Sequence, residues 1–522
     1  MFSKARSAAA LTITPLAGTL GYMAYIANTT PYHLQAENTS PQAHQHYISV
    51  LSGQWVDTIF AYVAAYGRGK LHFKTGGWGN IDTVQRCSNQ LKEHTLSTTL
   101  TAQDRAAQAR QWLPKHGMTW ETEWVEDWAG CGSWHRDGSF PTPLIPMFGQ
   151  AATDDMLFEP AQRCHFRYVV PSPTNPALHP ERFGLTTTST VPGTSALVSS
   201  AASSASVSSV VDSSSPADPA TSASGASSAS PASSASPSST SSSISTTPTT
   251  PGNTPGNMPL CVHLPCAGDQ FFDWRNRHFA TPLARQHGIA SLIIEAPSYG
   301  KRRRPNRKVR GAQVHRVADL AVGGLVQITE SIALLAWLED HVPVHAQANF
   351  GLCGISMGAE IATLYAAVTP IPTHVVAVMP AHSAIAIWHE GVLGGVSDWT
   401  HLAKAMADTS GRDVGAAEAR GHVVDWLQHT DIRTFAQPYH WLPREERPNV
   451  LLVGALDDAY IPAESTWVLA QHWKDIATCR WLPGGHCTTV VLHKKAILEA
   501  IVEVFEGKLV PLGMSKRSNV EI

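Results

Sequence analysis

The chemistry this sequence offers is carried by a serine, an acid and a histidine in that order. Ser356 stands in Gly354-Ile-Ser-Met-Gly358, between a short apolar run and a helix-like stretch. Downstream come an acid in Gly454-Ala-Leu-Asp-Asp-Ala-Tyr-Ile-Pro462 and a histidine closing Cys479-Arg-Trp-Leu-Pro-Gly-Gly-His486. A serine hydroxyl is a weak nucleophile at its free pKa, so it needs a base to take its proton, and that base needs an acid to orient it. Ser356, His486 and Asp458 are the candidates. Asp457 is the second acid candidate, but the Asp-x-x-Ile-Pro spacing that carries an acid past its strand starts at Asp458. Taken alone, each has an ordinary explanation as a turn, a helix cap or a solvated side chain. The catalytic reading comes from their order and from the end of a strand-like run before each of them.

Attack on a carbonyl also builds an oxyanion that needs donors. One donor is expected from the backbone N–H of Met357, at the start of the helix after the serine, where the dipole favours negative charge. The other is expected from the loop Pro265-Cys-Ala-Gly-Asp269, which follows the strand-like Leu260-Cys-Val-His-Leu264. Pro265 has no N–H, which leaves Cys266, with Ala267 as the alternative.

These residues need a scaffold that turns strands into helices. G-x-S-x-G is the spelling of a sharp strand-to-helix turn, in which glycines remove the side chains that would clash. Apolar strand-like runs at 260–264, 290–295, 374–379, 449–453 and 479–482 alternate with helical patterns, including a long one over 313–341 and an amphipathic one from His486 to about residue 506. Short buried strands alternating with helices predict an α/β fold with a mostly parallel sheet and helices on both faces. Trp388, Trp399, Leu402, Trp426 and Leu427 fall between two of the strands, in a region expected to form either a helical cap or ordinary packing helices.

The blocks Leu260-Cys-Val-His-Leu-Pro-Cys-Ala-Gly-Asp269, Ala290-Ser-Leu-Ile-Ile-Glu-Ala-Pro-Ser-Tyr-Gly300, Gly354-Ile-Ser-Met-Gly358, Asp458-Ala-Tyr-Ile-Pro462 and Gly484-Gly-His486 resemble the α/β-hydrolase domain-containing protein 18 family. The resemblance covers most of 45–185 weakly and most of 258–508 strongly. It implies the α/β-hydrolase fold, a serine triad at these positions, lipid-like acyl substrates and a mitochondrial setting. The chain departs from the family at Pro265-Cys266-Ala267, where the family's loop is richer in glycine.

Between about 186 and 257 the chain is almost wholly Ser, Ala, Thr, Pro and Gly, with Asp212 and Asp218 its only charges. It lacks the aromatic content to bury a core and is expected to be a disordered insertion in a surface loop. The first part of the catalytic domain is therefore expected over 45–185, its catalytic core over 258–508 and a tail over 509–522. Residues 1–44 are expected to form a targeting or anchoring segment: Lys4 and Arg6, with no acid in the first 36 residues of a Ser- and Ala-rich start, suit a mitochondrial presequence, a secretory signal or a membrane span. Eight cysteines without paired metal spacing suggest reduced thiols. Trp120, Trp124 and Trp128 are expected to pack in the core, with anchoring at a membrane interface as the alternative.

A net charge of −3 gives no reason to expect nucleic acid. One run is strongly basic, Lys301-Arg-Arg-Arg-Pro-Asn-Arg-Lys-Val-Arg310, just beyond a strand end where such sheets bind ligands. Arg302, Arg303 and Arg304 are thus expected either to grip an anionic substrate or to be solvated. No nucleotide loop or metal motif is present, so no cofactor is expected. The reading is a serine hydrolase of acyl esters, of an anionic phospholipid by preference, with possible contact to a membrane surface. An acyltransferase with the same triad and an inactive binding scaffold are the alternatives.

Overall fold

The computed structural model of the protein describes residues 39–41, 53–66, 77–96, 104, 107, 110, 111, 118–127, 132–171, 257–303, 314–345, 349–507 and 509–514. The expected insertion, apart from Asn257, and nearly all of the N-terminal segment lie outside these residues, as do Trp128 and the basic run beyond Arg303.

Among the described residues ten strands form one sheet: β1 Thr119–Trp120, β2 Val125–Glu126, β3 Ser133–Pro141, β4 Arg163–Pro171, β5 Leu260–Leu264, β6 Ala290–Ile294, β7 Phe350–Ile355, β8 His374–Val378, β9 Val450–Ala455 and β10 Ala477–Leu482. Their order is β1-β3-β4-β6-β5-β7-β8-β9-β10, with β2 also paired to β3. From β6 to β10 every pairing is parallel, while β1 to β4 add antiparallel strands at one edge. The long stretch between β4 and β5 therefore joins two strands of the same sheet.

The parallel strands are buried along nearly their whole length, which explains their unbroken apolar spelling. Alternate residues face opposite layers. Leu260, Val262, Leu352, Val375 and Leu452 point into one core and Cys261, Cys353, Val376, Leu451 and Val453 into the other.

The helices needed below are α1 Gly53–Tyr66, α2 Ile81–Leu96, α3 Thr281–His287, α4 Ala318–His341, α5 Met357–Val368, α6 Trp399–Ser410, α7 Ala416–Leu427, α8 Ala463–His472, α9 His486–Leu492 and α10 Lys494–Glu506. α4 and α5 cover the first face of the sheet, and α3 and α10 cover the second. By length and composition α4 could cross a membrane, but here most of it is buried against the sheet. Helix formation after His486 is not continuous to residue 506. The backbone leaves helical geometry at His493, because α9 packs on α1 while α10 packs on the sheet.

Between β8 and β9, α6 and α7 pack on each other around Leu402, Val423 and Leu427, in a small apolar cluster that Trp388 and, from before α4, Val317 also join. The start of this excursion touches the loop after β9, where Val392 donates its N–H to Ala459 O at 2.8 Å. Trp120 and Trp124 pack on Phe166 and Tyr168 of β4, with ring centroids 5.6–6.4 Å apart.

Candidate active site

The chain runs from β5 to β6 on one side, then returns through α4 to β7 on the other side of β5. Such a reversal opens a crevice outside the strands' carboxyl ends, where open α/β sheets bind ligands. Ser356 follows β7 directly, and the loop 265–269 follows β5 next to it. Asp458 lies three residues past β9, and His486 four past β10.

Ser356 sits between strand and helix at φ 58° and ψ −120°, a conformation rare for any residue but glycine. Holding it there costs about 1–3 kcal/mol. Its N–H donates to Val378 O at 2.9 Å, and its carbonyl accepts from Ala359 and Glu360 of the new helix. Both flanking glycines are required by close approach. A Cβ on Gly354 would lie 1.9 Å from the Gly358 carbonyl oxygen, and one on Gly358 would press at 3.0 Å on the carbonyls of Leu264 and Pro265.

The structure brings Ser356, His486 and Asp458 together. Ser356 Oγ lies 2.8 Å from His486 Nε2, and His486 Nδ1 lies 2.7 Å from Asp458 Oδ2. Asp458 divides its carboxylate: Oδ1 accepts the N–H groups of Tyr460 and Ile461, both at 2.8 Å, so it closes an Asx turn and still presents Oδ2 to the imidazole. Burial disfavours a charged His486, but the Asp458 carboxylate, by charge and hydrogen bond, and Asp57 outweigh this and raise its pKa above the ordinary value. Asp457 donates its N–H to Gly484 O at 3.0 Å, and it is Asp458 that bonds the imidazole.

Met357 opens α5, so its N–H has no carbonyl within the helix to bond to. The loop that includes Cys266 and Ala267 is fixed by Arg275, which donates to Asp269 Oδ2 at 2.5 Å and to the carbonyls of His263 and Ile294 at 2.6 and 2.8 Å. One buried guanidinium thus ties the loop to the ends of β5 and β6. Burial pushes the Cys266 thiol up to about 12, which leaves it protonated. The seven cysteines among the described residues form no disulfide.

The expectation for Arg302 is corrected. It is fully buried, and its two terminal nitrogens bond both oxygens of the equally buried Glu330 on α4 at 2.8 Å. The same nitrogens donate to the carbonyls of Glu295 and Ala161. This guanidinium secures the end of β6 to α4 and has no donor face toward solvent. Lys301 is exposed but pairs with Glu121 at 2.6 Å. Arg303 is half-buried, and Arg304 lies outside the described residues.

Two residues beside the triad escaped the sequence reading. Tyr460, within the quoted Asp-x-x-Ile-Pro stretch, stacks on the His486 ring. Asp57, on α1, accepts the N–H groups of His486, Cys487 and Ala459. The signal for Asp57 was a single charge on a helix otherwise without one.

The model of the family described as alpha/beta hydrolase domain containing 18 matches residues 236–434 and 416–507, together just over half of the chain. The chain belongs to this family. Among solved structures, the chain is similar to an acetyl xylan esterase from Paenibacillus sp. R4, at 12% identity over 82% of this chain and 96% of the esterase, with a TM-score of 0.40. It is also similar to acetyl xylan esterase 1 from Thermoanaerobacterium sp. JW/SL YS485, at 12% identity over 79% and 98% and a TM-score of 0.37. Est1E from Butyrivibrio proteoclasticus, solved with ferulic acid bound, matches at 16% identity over 49% and 93% with a TM-score of 0.31. The fold is that of the α/β hydrolases: a mostly parallel sheet between helical layers, with a tight strand-to-helix turn at Ser356.

Proposed function

We propose that the protein is a serine hydrolase of acyl esters that works through an acyl-enzyme on Ser356. The observation that carries this is the continuous relay from Ser356 Oγ to His486 Nε2 and from His486 Nδ1 to Asp458 Oδ2, at 2.8 and 2.7 Å. Ser356 Oγ attacks the ester carbonyl as His486 Nε2 takes its proton, and Asp458 stabilises the resulting imidazolium. The N–H of Met357, with one from Cys266 or Ala267, receives the oxyanion. Collapse expels the alcohol with the proton from His486, and water, deprotonated by the same imidazole, then releases the acid.

The substrate class we propose is a lipid-like acyl ester. Supporting it is α1, whose exposed side includes Trp55, Ile59, Phe60 and Tyr62 while its other side reaches the His486 turn. Neither Arg302 nor Lys301 supports a preference for an anionic headgroup, since their charges are matched by Glu330 and Glu121. A mitochondrial address is proposed for the N-terminal segment, to be checked by imaging the full chain fused at its C-terminus to a fluorescent protein.

A fluorophosphonate probe tests the chemistry. Wild type should be labelled at Ser356 and Ser356→Ala should not. Folded wild type that resists labelling would favour a binding scaffold, and equal labelling of Ser356→Ala would move the nucleophile elsewhere. Release of free fatty acid from mixed micelles of a neutral acyl lipid, lost in Ser356→Ala, checks the substrate class.

A further inference from the structure

We propose that Asp57 is a positioning residue for this reaction: its carboxylate, supplied by α1, ties the loop bearing Asp458 to the turn bearing His486 and sets a second negative charge beside the imidazole. The inference rests on the triad reading above. Asp57 is fully buried. Its Oδ2 accepts the N–H of His486 at 2.7 Å and of Ala459 at 3.1 Å, and its Oδ1 accepts the N–H of Cys487 at 2.9 Å. One side chain thus satisfies three backbone donors from two loops that follow neighbouring strands. These donors belong to His486 itself, to the residue after it and to the residue after Asp458.

The imidazole and this carboxylate share a small set of neighbours. Asp458, Asp57, Tyr460 and Ser356 face His486, while His486, Asp458, Tyr460 and Cys487 face Asp57. Burial pushes the Asp57 carboxyl up and the charge of Asp458 adds to this, while the N–H bonds from Cys487 and Ala459 and the charge of His486 pull it down. In turn Asp57 adds to the influence of Asp458 in raising the His486 pKa. A general base must be neutral to accept the serine proton, so the acid limb of the rate profile should lie above the ordinary histidine value.

Asp57→Asn keeps the shape, removes the charge and turns an amide N–H₂ toward a backbone donor. Labelling of Ser356 by the fluorophosphonate should slow by roughly ten- to a hundredfold, as expected for losing a charged hydrogen bond. The acid limb of its pH profile should move to lower pH, a change that a purely structural defect would not produce. Folding is checked by circular dichroism, with Thr58→Ala on the same helix as control. An Asp57→Asn protein that folds and labels with the wild-type rate and limb overturns the proposal and leaves the triad standing, whereas wild type that never labels overturns the triad. If Asp57→Asn does not fold, Asp57→Ser, which leaves room for water at the three N–H groups, takes its place under the same criteria. Failure of both to fold beside a folded Thr58→Ala overturns the positioning role in favour of a structural one.

Discussion

The ring of Tyr460 lies against the imidazole of His486, with centroids 4.9 Å apart and planes 22° from parallel. The two imidazole nitrogens are spent in the ring plane on Ser356 and Asp458, so the remaining freedom of the ring is to tip out of that plane. Tyr460 closes one face against this motion. It is placed by the same turn that places the acid, because its N–H donates to Asp458 Oδ1. Tyr460→Ala should lower kcat/KM for a small ester by roughly three- to tenfold, the equivalent of one aromatic contact of about 0.5–1.5 kcal/mol. Tyr460→Phe, which keeps the ring, should retain most of the activity. Equal loss in both variants would assign the effect to the hydroxyl instead.

The buried pair of Arg302 and Glu330 predicts a stability defect in place of a substrate defect. Removing one partner strands a desolvated charge, and such losses run to about 3–5 kcal/mol. Arg302→Gln should therefore lower the denaturant midpoint strongly, while the folded fraction keeps its KM for both anionic and neutral esters. Arg302→Met combined with Glu330→Leu should recover much of the loss, since the pair is replaced by apolar volume. A selective rise in KM for anionic substrate, without loss of stability, would return Arg302 to the substrate.

The elbow and the order of Ser356, Asp458 and His486 were legible because each depends on local constraints. Two close backbone approaches demand Gly354 and Gly358, and each of the three residues follows a buried strand whose apolar spelling survives in the sequence. The basic run was legible as charge but not as burial. Nothing in Lys301-Arg302-Arg303 reveals that the carboxylate of Glu330, from another element, receives the middle side chain. Asp57 was hidden for the same reason at greater range, since its three partners lie more than 400 residues later. The break at His493 reflects which surfaces α9 and α10 pack on, a tertiary preference that an amphipathic pattern through both helices conceals.

Glu360, in the first turn of α5, predicts a pH dependence of stability. Its Oε2 is buried without a hydrogen-bond partner, and burial pushes the carboxyl up to about 8, against one backbone bond from Ala381 and with added repulsion from Asp431. In the unfolded chain the same carboxyl releases its proton near the ordinary value for glutamate, about 4.3. Between these values the folded state binds the extra proton, so stability falls as pH rises through the window, and the loss is complete above about pH 8. Glu360→Gln mimics the protonated form at every pH. Its melting temperature should match wild type near pH 4.5 and exceed it by a growing margin of a few degrees toward pH 9, where the margin should level off. Thermal melts at half-unit steps across that range read the effect directly, and a margin independent of pH would show that Glu360 ionises with its ordinary pKa in the folded protein.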